Sequence, residues 1–98
     1  MEVRFDGTVT TPPSFFFGTH TRAEHEQFDC RRDDGSMVRV IDNVDLAPRI
    51  PVVPGDRVTV QGELVHDPGR PPIVHWTHHD PAGLHVAGFI ERNGRRYS

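Results

Sequence analysis

At 98 residues, with 35% hydrophobic content and a formal charge of −3, the chain has room for one domain (1–98) around one small core. The acidic balance argues against general nucleic-acid affinity by charge alone, although a nucleic acid stays among the conceivable partners. All eleven cationic side chains are arginine, which removes Schiff-base chemistry and a lysine general base, and a single cysteine leaves neither a disulfide framework nor a thiolate zinc cluster.

Nine glycines and nine prolines are spread along the chain and break every apolar run before it reaches helix length, which predicts short strands joined by tight turns. Val3, Phe5, Gly7 and Val9 alternate with polar residues as in a half-buried strand, and Thr11-Pro12-Pro13 ends it. Phe15-Phe16-Phe17 reads as a plug closing one end of the core, with an exposed recognition patch as the alternative. Gln27 to Arg31 and Met37 to Ile41 flank Asp34-Gly35, a hairpin signal, and Cys30 alternates with Phe28 as a small buried hydrophobe.

Asn43 to Pro51 shows no alternation and reads as a short connector, Leu46 and Ile50 facing inward. Val58, Val60, Gly62 and Leu64 form the clearest strand, with a kink or bulge expected at Gly62. Ile73 to His78 is the next strand. After a loop at Asp80 to Gly83, Val86 to Glu91 is extended, and Asn93-Gly94 turns the chain back. Three strands, a short connector and two further strands are the order of an all-β, five-stranded OB-like Greek-key barrel in which the connector replaces a long helix.

The segment His75-Trp76-Thr77-His78-His79-Asp80-Pro81-Ala82-Gly83-Leu84-His85 gathers four of the seven histidines and the only tryptophan. Imidazoles change charge near neutral pH and are common metal ligands, so this density beside a carboxylate points to a site. On a regular strand His75 and His78 face opposite ways, so they converge only if the strand ends or bulges between them. His78, His79 and Asp80 are then expected on a loop at the barrel mouth, with His85 returning to it.

Three readings compete. His78, Asp80, His85 and a distant His25 could hold a divalent metal such as zinc, leaving a position for an activated water. Alternatively His75, His78 or His79, oriented by Asp80, acts as general acid or base without metal. The third reading is structural, the histidines tying down a long loop. Trp76, Arg49, Asp42 and Asp45 are candidate ligand-binding residues, Trp76 by stacking on a base or sugar and Arg49 by neutralising an anion. The most concrete chemistry is metal- or histidine-assisted hydrolysis of a phosphate ester. The alternative is a non-catalytic OB-type module for a small anionic ligand, nucleic acid or protein.

The His75 to Pro81 segment, the later His85, and Asp45-Leu46-Ala47-Pro48-Arg49-Ile50 together resemble a bacterial family of small uncharacterised domains. The resemblance implies that His25, Asn43, Asp45, Arg49, His75, Trp76, His78, His79, Asp80 and His85 stand at motif positions, without naming a chemistry. This chain departs from the pattern at Asp42, where histidine is expected, at Leu84, where arginine is expected, and at Phe89, where tryptophan is common. The opening Met1-Glu2-Val3-Arg4-Phe5 has no signal-peptide character and no run reaches transmembrane length, so a cytoplasmic protein off the membrane is expected. Relatives with an N-terminal export segment imply export instead if such a segment precedes this sequence.

Overall fold

Period-two alternation dominates the chain, and in the computed structural model, which describes Met1–Ser98, it resolves into eight strands and no helix. They are β1 (Glu2–Val9), β2 (Ser14–Gly18), β3 (Ala23–Arg32), β4 (Met37–Asn43), β5 (Arg57–Val65), β6 (Ile73–His75), β7 (Phe89–Arg92) and β8 (Arg95–Tyr97). β1 pairs with β5 from Glu2 to Thr8 and with β3 from Gly7 to Val9, so one strand serves two neighbours. β1, β3, β4, β6 and β5 follow one another around a closed barrel, with β4–β6 parallel and β1–β5 the closing pair. That strand order is the OB-like Greek key expected from the order of elements.

The barrel interior takes one face of each strand: Phe5 and Val9, Phe28 and Cys30, Val38 and Val40, Val58 and Val60, and Val74. Ile50 and Val52 enter from the connector and Ile90 and Tyr97 from the β7–β8 hairpin. Burying each such side chain contributes about 1.5–3 kcal/mol, which makes this inner face the main source of stability. The connector between β4 and β5 is a turn, in which the Asn43 carbonyl accepts N–H bonds from Leu46 and Ala47 and its side chain accepts that of Asp45. Ile50 is 1% exposed, whereas Leu46 is only half-buried.

Four elements differ from the sequence expectation. Phe15, Phe16 and Phe17 do not plug the core: β2 pairs with the first half of β3 as an added edge strand and leaves Phe17 60% exposed. That pairing also starts β3 at Ala23 rather than Gln27. β6 stops at His75 instead of His78, and the chain is next a strand only at Phe89. Gly62 forms no bulge; it pairs in register with Val3.

The last two differences have one cause. Along the edge of β5 away from β1, β6 pairs with Glu63–Val65 and β7 with Val58–Gln61, both antiparallel. β6 and β7 are therefore one interrupted strand, which the chain leaves after His75 and rejoins at Phe89. The histidine segment is an excursion from that interruption, opposite Gly62. A Cβ at Gly62 would stand 2.5 Å from the His75 carbonyl oxygen, so the missing side chain lets the excursion start close against β5.

Candidate functional site

Residues 76–88 leave the sheet through Trp76, whose φ of 55° is a left-handed conformation uncommon for a residue with a side chain. That twist breaks the strand alternation, so His75 and His78 line the same pocket instead of facing apart. The Gly88 N–H donates to the His78 carbonyl at 2.9 Å and closes the base of the excursion. A Cβ on Gly88 would collide with the Trp76 carbonyl oxygen. Asp80 organises the tip: its carboxylate accepts N–H bonds from Ala82 at 2.9 Å, Leu84 at 2.5 Å and His85 at 3.0 Å. Partial burial alone would raise the Asp80 pKa, but those three N–H donors and the nearby His85 outweigh it and hold the group below the ordinary aspartate value.

The excursion roofs a pocket of about 600 Å³. Its floor is Ile41, Asn43 and Ile73, which alternate with the core residues Val40, Asp42 and Val74, so the pocket lies on the outer wall of β4 and β6 rather than at the barrel mouth. Val65 and Leu84 add apolar surface, and His25, His75, His78 and His85 supply imidazoles. Trp76 stacks with His75 at 4.8 Å between ring centroids and with His85 at 4.6 Å, and His78 meets His85 edge-on at 5.5 Å. Those stacks take up indole surface that a base or sugar would need, which counts against Trp76 as an open stacking platform.

Burial lowers the pKa of His75 below the usual histidine value; Glu63 opposes this, and the neighbouring imidazoles of His85 and His78 add to it. Burial likewise lowers that of His78, against the bond to the His79 carbonyl. Both are therefore neutral at pH 7. His78 Nδ1 lies 2.6 Å from the His79 carbonyl oxygen and His85 Nδ1 lies 2.8 Å from that of Val86. A carbonyl only accepts, so each Nδ1 carries hydrogen, and Nε2 of neutral His78 is a lone-pair acceptor.

The four expected metal ligands, His25, His78, Asp80 and His85, do share this pocket, yet no group of three or more His, Cys, Asp or Glu side chains stands in an arrangement that could hold a metal ion. Asp80 is engaged by backbone, and His25 packs under β2, stacked on Phe16 at 5.1 Å. His79 is exposed and lines a separate depression with Arg4, Phe89 and Arg96. Asp45 sits in the connector turn, accepting the Glu24 N–H at 3.1 Å, and Arg49 lies over the Phe15 ring at 4.6 Å; neither lines the pocket.

Asp42 is 1% exposed and points into the barrel, not into the pocket. It stands opposite Glu26, itself 0% exposed, across the β3–β4 register. Each carboxyl has one partner, the Thr77 hydroxyl 3.1 Å from Asp42 and the Ile50 N–H 2.8 Å from Glu26, and each keeps one buried oxygen unpaired. Burial above all, with the Glu26 charge adding and the Thr77 bond opposing, pushes Asp42 up to about 7. Glu26 is raised by burial against the Ile50 bond and the Arg49 charge. Sequence reasoning missed Glu26 and Thr77, although Glu26 continues the inward phase of Phe28 and Cys30.

A closed OB-like barrel with an imidazole-lined pocket on its outer wall defines the class: a small all-β domain of OB-like topology. Residues 5–98 match the model of the family described as protein of unknown function (DUF3465), and the chain belongs to that family. No curated protein and no solved structure matches it. No helix is long and apolar enough to cross a membrane.

Proposed function

We propose that this domain is a non-catalytic binding module whose pocket between the histidine excursion and the outer wall of β4 and β6 takes a small molecule. The observation that carries the reading is the pocket itself, with its volume in the range of small-molecule sites and a floor of Ile41 and Ile73 beneath aromatic walls. The carboxylate and the two arginines that a phosphate-ester hydrolase would draw on are otherwise engaged. Asp80 bonds three backbone N–H groups, Arg39 pairs with Asp29 at 3.0 Å, and Arg49 stacks on Phe15. The test is a fragment screen by two-dimensional NMR, with the Trp76 indole N–H and the Ile41 and Ile73 methyl groups as reporters. Binders that shift these signals together support the module, and a library that leaves all of them unmoved contradicts it.

Histidine-assisted hydrolysis of a phosphate ester is the second reading, favoured by the gathering of His75, His78 and His85 in one cavity. Turnover of a phosphodiester that survives chelator and disappears in His78→Ala would establish it in place of binding alone.

A further inference from the structure

The chemistry of the pocket wall restricts the ligand more closely than its volume does, and the restriction rests on the binding reading above. No arginine lines the pocket, and its one carboxylate, Asp80, already accepts three backbone N–H bonds. A phosphate or carboxylate would find no fixed cation there, and an ammonium group no free carboxylate. His75 and His85 stack on Trp76, which leaves the outward faces of the two imidazoles as the flat surfaces, and Ile41 and Ile73 add branched aliphatic side chains to the same lining. Such walls favour a ring over a flexible chain, because offset stacking rewards planar, polarizable groups.

Among the imidazole nitrogens of the lining residues, the buried Nδ1 of His25 and Nε2 of His78 have no protein partner. The His78 Nδ1–H is committed to the His79 carbonyl, and Nε2 bonds no protein group. His78 is 6% exposed and lines the pocket, whose wall sets Ile41, Val65, Ile73 and Leu84 beside Thr21, Asn43 and the other imidazoles. Desolvating the Nε2 lone pair beneath a ligand without a matching donor would be costly. We propose that the pocket takes a neutral, planar, ring-bearing molecule that donates an O–H or N–H hydrogen bond to His78 Nε2. A phenol and an N–H heterocycle share that chemistry.

Three probes test it on the intact chain at pH 7.5: 2-naphthol, its methyl ether 2-methoxynaphthalene, and inorganic phosphate, each followed by the Trp76 indole N–H resonance and tryptophan fluorescence. The expected result is that 2-naphthol binds about three- to tenfold more tightly than the ether, the difference one hydrogen bond supplies, and that phosphate moves nothing. In His78→Phe, which keeps a ring and removes the acceptor, the two naphthalenes should bind alike. Equal affinity of naphthol and ether for the unaltered protein overturns the donor requirement while leaving the pocket reading intact. Binding of phosphate alone overturns the neutral ligand class. Silence from all three also overturns the class, and the broader fragment screen then reports separately whether the pocket binds anything.

Discussion

Three of the most informative residues are acids and bases, two buried and one half-buried, whose protonation the fold controls. Asp42 has a folded pKa of about 7 against 3.8 for the free side chain, so its contribution to stability is complete below about pH 4 and is lost as pH rises through about 7. Three units correspond to about 4 kcal/mol over that window. Asp42→Asn keeps an oxygen for Thr77 and has no charge to bury, so urea unfolding should find it more stable than the unaltered chain by a few kcal/mol at pH 8, with the gap closing toward pH 4. A pH-independent difference would contradict the buried acid. His75 and His78 act in the opposite sense: their pKa values are lowered, so their contribution is present above the unfolded value of 6.5 and is lost as pH falls through the folded values. His79→Ala, at an exposed position, should change stability by less than about 0.5 kcal/mol, whereas His78→Ala should lose about 1–3 kcal/mol. The inward placement of Asp42 and Glu26 was legible in alternation, since both continue runs of core residues. Their facing each other was not, because it depends on hairpin register.

At the scale of elements, β1, the β3–β4 hairpin and β5 follow directly from period-two patterning and turn chemistry, because each has one face in the core. β2 does not: a run of three phenylalanines signals burial, yet its strand is held by backbone pairing to β3 while the rings stay largely outside. Phe17→Ser should therefore cost little, within about 1 kcal/mol, while Phe28→Ala should cost about 3–5 kcal/mol in the same denaturation assay. The histidine excursion was legible as a site and misjudged in extent. Strand propensity carries the pattern through Trp76 and Thr77, but the close approach permitted by Gly62 and Gly88 lets the chain turn out of the sheet after His75. Asp80→Ala should abolish hydrogen-exchange protection of the Ala82, Leu84 and His85 amides while leaving β5 amides protected, which separates the loop organiser from the barrel.

For the whole molecule, the order of elements was enough to give an OB-like barrel, because five strands and a connector too short for a helix leave few closed arrangements in a chain this small. The location of the pocket was not legible. Its floor comes from the outward residues of β4 and β6, strands whose parallel contact joins distant parts of the chain, and its roof from an excursion between collinear strands. The account as a whole turns on one atom, the unprotonated Nε2 of His78, in a pocket whose lining holds no arginine and one backbone-engaged carboxylate, Asp80. Long-range ¹H–¹⁵N correlation of the histidine side chains at pH 7.5 observes that nitrogen directly. The account predicts that His78 is neutral with its hydrogen on Nδ1 and an acceptor-type shift at Nε2, and a protonated ring or a hydrogen on Nε2 would contradict it.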